Sequence, residues 1–123
     1  MMSGKVTIER KGHILLMGLN RPGKMNAFDV EMYPELAAAF GELSQDRELR
    51  CGLLFAHGKN FTAGLELPKW APFFSKATLP DLPAGACDPF GLGETKRVGK
   101  PMVMAAQGFC YTIGLELMLA MTR

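Results

Sequence analysis

Two stretches of this sequence place small residues at a bend between an apolar run and a helix, which is one way to expose backbone donors. Phe61-Thr62-Ala63-Gly64-Leu65-Glu66-Leu67 follows the apolar run Cys51 to Ala56. Gln107-Gly108-Phe109-Cys110-Tyr111-Thr112-Ile113-Gly114-Leu115-Glu116-Leu117 follows Met102 to Ala106. A helix start presents unpaired N–H groups and the positive end of the helix dipole. Two such starts that converge can hold a developing negative oxygen, the chemistry of an oxyanion hole. Glycines that merely permit tight turns account for the same letters, so the residues alone leave both readings open.

Other chemistries are poorly supported. His13 lies in a strand and His57 just past one, and neither has a Cys or Ser at a telling distance, which favours structural or surface roles. Cys110 sits in a turn, where a thiol without a partnered base reads as inert before it reads as a nucleophile. Gly91-Leu92-Gly93 is followed by Glu94, Thr95 and Lys96, so a dinucleotide loop fails at its third glycine. Gly93 to Lys100 makes a weak phosphate loop, because Pro101 stands where a Ser or Thr is required. No GxSxG elbow occurs, and Cys51, Cys87 and Cys110 have no metal-ligand spacing, so no metal site is expected.

The elements that must position these turns follow from periodicity. Val6 to Arg10 and His13 to Leu19 read as strands, with Lys11 and Gly12 as the hairpin turn. Asn20 to Asn26 is loop. Asp29 supplies a helix N-cap, and Met32, Leu36, Phe40 and Leu43 line one face of a helix that ends near Ser44. Pro34 means that this helix starts at Pro34 or bends early. Cys51 to Ala56 and Met102 to Ala106 read as strands buried on both faces. A short helix begins near Leu65. Pro72 to Gly99, rich in proline and glycine, is too long for a passive connection and is either a functional lid or poorly ordered. Trp70, Phe73 and Phe74 before it are packing residues or the lining of a tunnel. Strand-to-helix steps of this kind argue for an α/β layer structure.

The chain's 123 residues, 48% hydrophobic and 21% charged, suit one domain with a modest core. A net charge of +2 gives no reason to expect nucleic acid or a membrane surface. Lys96, Arg97 and Lys100 form the one short basic patch. Odd, widely spaced cysteines, a polar N-terminus and no membrane-length apolar run together predict a cytoplasmic protein with free thiols. Gly114 to Arg123 reads as an apolar helix with no stop signal after it, as though cut in mid-course.

Three segments, in order, carry a resemblance to a known family. Leu19-Asn20-Arg21-Pro22 with Lys24, Asn26 and Ala27 resembles an "LNRP-x-K-x-NA" segment. Phe61 to Leu67 resembles an "FxAGxDL" turn, and Lys100-Pro101 to Leu117 a "KPxxAAxxGxxxGxGxEL" stretch. The family is the crotonase, or enoyl-CoA hydratase/isomerase, family, and the match covers nearly all of the chain except the 72–99 segment. The resemblance implies a crotonase-like spiral of ββα units, of which this chain supplies the first turns as the N-terminal part of one core domain. It implies a homo-trimer or hexamer for the complete protein. It also implies exposed apolar faces on Met102 to Ala106 and the last helix of an isolated first half, which would then be poorly soluble or associate.

Members of this family stabilise a thioester enolate with two backbone N–H groups, here carried over to Leu65 and Ile113. The resemblance places Asn26, Ala27, Ala63 and Gly64 at the adenine end of coenzyme A, with Lys24 as a phosphate contact and Gly114 beside the substrate. Glu116 matches the first of two glutamates used by the family's hydratases. Three residues beyond Ile113 on a helix, its carboxylate falls on the face of that donor. A solvent-facing Glu favoured by the helix dipole is the alternative, although a carboxylate buried in so apolar a stretch would need a reason. Three departures stand out. Glu66 replaces Asp, Thr112 and Ile113 replace glycines, and the second glutamate is not among these residues. The expected activity is hydration of an α,β-unsaturated acyl-CoA, with no cofactor beyond the coenzyme A of the substrate. A double-bond isomerase, or a non-catalytic acyl-CoA-binding relative, is the alternative. Acyl length and pathway are not legible.

Overall fold

The computed structural model describes residues 4–92 and 97–121. The Gly93 to Lys96 part of the weak phosphate-loop motifs, Lys96 of the basic patch, residues 1–3 of the N-terminus and the last two residues of the final helical pattern lie outside them.

Strand β1 (Val6–Lys11) pairs antiparallel with β2 (Ile14–Leu19), from Val6 opposite Leu19 to Lys11 opposite Ile14. Gly12, at φ 61°, and His13 make the turn. Alternation along β2 buries Leu15, Met17 and Leu19 completely. Helix α1 (Met32–Gln45) covers that face with Met32, Tyr33, Leu36, Phe40 and Leu43, the 3.6-residue stripe expected of an amphipathic helix. The chain returns as β3 (Cys51–Ala56), parallel to β2, and later as β4 (Met102–Met104), parallel to β3. The four-stranded sheet has the order β1-β2-β3-β4.

Several expectations are refined. The helix starts at Met32 with Glu31, not Asp29, at its N-cap; Glu31 makes no side-chain cap bond, while the Asp29 carboxylate accepts from the Met32 amide at 3.0 Å from the preceding turn. Pro34 falls in the first turn of α1, where its missing N–H has no intrahelical partner to lose, and the helix starts two residues before it. The short helix begins at Leu67 rather than near Leu65, as α2 (Leu67–Ser75). Neither of the two strands read as wholly apolar is buried on both faces. Cys51, Leu53 and Phe55 of β3 are half-buried. The fourth strand is only three residues long, and Val103 is 61% exposed. The reason is that α1 covers one face of the sheet and β4 is its edge. Helix α3 (Ile113–Ala120) likewise buries Ile113 and Leu117 while Leu115 and Leu119 lie open, as expected for the apolar faces of these two elements.

The described residues of the 72–99 segment are irregular after α2, yet those around 85–92 are fastened to α1. Gln45 donates to the Gly85 carbonyl at 2.7 Å, and the Cys87 amide to the Ala37 carbonyl at 3.1 Å. Asp88 accepts from the amides of Phe90 and Leu92, both at 3.0 Å. Burial, followed by the charge of Asp88 and a hydrogen bond to it, pushes the Tyr33 phenol far up. Trp70 belongs to the core. Its indole N–H reaches the Phe28 carbonyl at 2.8 Å, and its ring stacks on Phe28 and Phe74. Cys51, Cys87 and Cys110 are free. Among the described residues no helix is long and apolar enough to cross a membrane.

Candidate active site

The first turn leaves β3 and is threaded between two other segments. Thr62 pairs with Cys110 in a parallel bridge, with the Thr62 amide donating to Phe109 and the Tyr111 amide to Thr62. The Thr62 hydroxyl donates to the Asn26 carbonyl at 2.6 Å and accepts from the Gly64 amide at 3.1 Å. Three residues beyond Thr62, Leu65 forms a second bridge with Phe28, in which Phe28 uses the Gly64 carbonyl (2.8 Å) and the Glu66 amide (3.0 Å). In such a pairing the residue opposite turns its own N–H to the other edge. The Leu65 amide therefore points away from Phe28 and has no protein acceptor among the described residues.

The second turn reaches α3 through Thr112, whose φ of 35° and ψ of −88° are unusual for a β-branched residue. Ile113 is the first helical residue, and its amide likewise has no acceptor among the described residues, as expected of an N-terminal helical donor. The two turns touch. Gly64, at φ 105°, faces the Thr112 hydroxyl so closely that a Cβ there would lie 2.7 Å from it. Gly114 lies as tightly on the Cys110 sulfur and the Thr62 methyl. Each unspent amide thus belongs to the residue just after one of the two contacting residues, Gly64 and Thr112.

Glu116 stands one turn along α3 from Ile113 and is exposed, as in the solvent-facing alternative, so no burial cost attaches to it. Its side chain helps line an open pocket of about 440 Å³ with Phe90, Gly91, Leu92, Arg97 and Leu119. Glu66, beside the first donor, is already engaged with Arg21 at 2.8 Å. That hydrogen bond, with the charges of Arg21 and Lys69, holds its carboxyl below the usual range.

The remaining predicted residues divide. Asn26 is buried and its amide is fully used: Oδ1 accepts from the Arg21 amide, and Nδ2 donates to the carbonyls of His57 and Asn60 at 2.8 Å each. It pins two loops together and tolerates its own left-handed φ of 54°. Ala27 and Ala63 are half-buried; the Ala63 amide donates to Met25 and the Ala27 carbonyl accepts from Arg21. Lys24 is exposed at the end of a 3-10 turn, Pro22–Lys24. His57 hydrogen-bonds the buried Thr7 hydroxyl at 2.8 Å and His13 the Glu48 carbonyl, which are structural roles. Burial pushes the Cys110 thiol up, away from nucleophilic use. No cluster of His, Cys, Asp or Glu among the described residues could hold a metal ion.

Sequence reasoning missed the charges beneath the first turn. Asp29 is wholly buried and meets Lys5 at 2.6 Å, Arg21 at 3.7 Å and Lys69 at 3.9 Å. Burial alone would raise its pKa; hydrogen bonds from Lys5 and the Met32 amide, with the charges of Lys5 and Arg21, outweigh it and hold the carboxyl below its usual range. These residues lie as far apart as positions 5 and 69, so no spacing announces them.

A family model described as enoyl-CoA hydratase/isomerase matches residues 9–121. The chain belongs to that family. Its fold is similar to that of a probable enoyl-CoA hydratase/isomerase from Mycobacterium abscessus, with a TM-score of 0.86 and 41% identity, over 95% of this chain and 44% of that one. The crotonase-like α/β fold expected from the three motifs is thereby observed. A mevalonyl-coenzyme A hydratase of Beauveria bassiana is 35% identical over 116 residues, 88% of this chain and 40% of that protein. A human Delta(3,5)-Delta(2,4)-dienoyl-CoA isomerase is 30% identical over 126 residues, 94% of this chain and 38% of that protein. The chain therefore spans about 40% of the length of the curated relatives it matches.

Proposed function

We infer that the protein is an enoyl-CoA hydratase, adding water syn across the double bond of an α,β-unsaturated acyl-CoA. The observation that carries this reading is the contact of the two turns with the Leu65 and Ile113 amides both unspent. In this reading those amides hold the thioester oxygen. Charge drawn onto that oxygen makes the β-carbon electrophilic and stabilises the enolate once water has added. Glu116 and the second glutamate that the family resemblance implies position the water and move its protons, hydroxyl to the β-carbon and hydrogen to the α-carbon. Lys24, Ala27 and Ala63 border coenzyme A, which arrives with the substrate, and the complete protein assembles as a trimer or a pair of trimers.

The test is Glu116→Gln, followed by loss of the conjugated enoyl absorbance of but-2-enoyl-CoA and by binding of coenzyme A. Turnover should fall about 10²- to 10⁴-fold with binding retained. Unchanged turnover would remove Glu116 from the mechanism. A second reading, double-bond isomerisation, is favoured by one observation. Glu66 is taken by Arg21, which leaves Glu116 as the unengaged carboxylate at these turns among the described residues, and a single carboxylate suffices to shuttle a proton between carbons. Conversion of but-3-enoyl-CoA without hydration of but-2-enoyl-CoA would select it.

A further inference from the structure

We propose that Arg21 is a positioning residue for the Leu65 donor, acting through Glu66 and the Ala27 carbonyl; the proposal rests on the reading of Leu65 given above. One guanidinium nitrogen, Nη1, donates to Ala27 O at 2.7 Å and to Glu66 Oε2 at 2.8 Å. Ala27 immediately precedes Phe28 and Glu66 immediately follows Leu65, so this nitrogen clamps both sides of the Phe28–Leu65 bridge. The bridge itself has only the Phe28 and Glu66 amide bonds to set which way the Leu65 amide points. Two hydrogen bonds in an isolated bridge leave a peptide plane free to swing, and a hydrogen-bonded ion pair across them opposes that swing.

Arg21 is itself held. Its side chain is only 12% exposed, its head lies 3.7 Å from the fully buried Asp29, and its backbone amide donates to Asn26 Oδ1 at 2.6 Å. Arg21 and Glu66 come from two different motifs, 45 residues apart, and the pair joins them at the donor. Glu66 stands where the family pattern has Asp. Its extra methylene is what reaches Nη1 in this chain, so shortening it withdraws the carboxylate from the clamp. A misplaced donor weakens what happens in the transition state more than ground-state binding, which predicts a split between kcat and KM.

The experiment compares Arg21→Met, Arg21→Lys, Glu66→Asp and the wild-type chain in but-2-enoyl-CoA hydration, together with amide hydrogen exchange. Arg21→Met leaves Asp29 its bond to Lys5, so that buried carboxylate keeps a cation. Expected are a roughly 10- to 100-fold loss of kcat at a KM within about twofold, a smaller loss in Glu66→Asp, and partial recovery in Arg21→Lys, whose ammonium can occupy the place of Nη1. Exchange of the Phe28 and Glu66 amides should quicken about tenfold or more while the β2–β3 amides stay protected. Lys100→Met is the control for stability alone. It removes the donor to the Leu43 and Asp46 carbonyls at the end of α1, away from the turn, and should lower stability without changing kcat. Wild-type kcat in folded Arg21→Met, or exchange that rises evenly across the sheet, would overturn the proposal. If the wild-type chain hydrates no enoyl-CoA, the functional reading fails by itself, and the exchange pattern still decides whether Arg21 holds the turn.

Discussion

The two turns of the candidate site present the same kind of donor but are held by different means. The first is tied from several sides: by its bridges to Phe28 and Cys110, by the Thr62 hydroxyl on Asn26, and by the Arg21–Glu66 pair over the buried Asp29. The second lies at the open edge of the molecule, with Phe109 44% and Tyr111 52% exposed and stacked on one another. It shares the Cys110 bridge and is anchored upstream by the Phe109 amide on Asn60 Oδ1 and by Gln107 on the Ala56 and Gly58 carbonyls, but from Thr112, at φ 35°, to the Ile113 donor it is placed by the tight fit of Gly64 and Gly114. The difference teaches that a backbone donor can be aimed by polar anchoring or by steric fit, and that the two respond to different mutations.

Gly64→Ala should break the comparison most severely, because it attacks the surface the turns share. Its φ of 105° disfavours any side chain, and the new methyl would meet the Thr112 hydroxyl. We expect a stability loss of about 1–3 kcal/mol from strain and an activity loss of about 100-fold as the donors separate. Denaturation midpoints and kcat/KM read both, and an active, fully stable variant would show that the turns need not touch. Asn26→Ala tests the anchored turn alone. It strips partners from the His57 and Asn60 carbonyls and the Arg21 amide, and should cost about 2–3 kcal/mol of stability, read by urea titration.

The ionic anchoring should also show in acid. Asp29 has a folded pKa held below the ordinary 3.8. Its contribution is therefore fully present above that value and is lost as the pH falls through the lowered one. Asp29→Asn should accordingly differ most from wild type near neutrality, and the gap should close below about pH 4. A gap that stays constant into acid would mean that the charge contributes nothing. The smallest effect is expected for Thr112→Gly. Relief of the left-handed strain offsets glycine's greater freedom in the unfolded chain, so stability should move by less than about 1 kcal/mol. A large loss would show that the Thr112 hydroxyl anchors the second turn after all.

Local pattern determined much of this protein. Period-2 alternation in β2 and the 3.6-residue stripe of α1 gave elements whose ends lie within a few residues of those observed, because both signals arise from burying one face. Cys51 to Ala56 emerged with its bounds intact, and the three motifs pointed to the family. What the sequence could not disclose depends on what each element meets. Strand β4 reads as buried yet lies at an edge, since apolarity records a capacity for burial and not the presence of a neighbour. Glu116 reads as either a buried or a solvent-facing carboxylate, and only its surroundings decide that it is exposed. Asn26 reads as a binding residue, and its amide is spent on backbone groups more than thirty positions away. The Arg21–Glu66–Asp29 arrangement is the clearest case. Charges scattered through the chain become one structure only when the LNRP loop, the first turn and the start of α1 are folded together, because an ion pair is defined by distance in space.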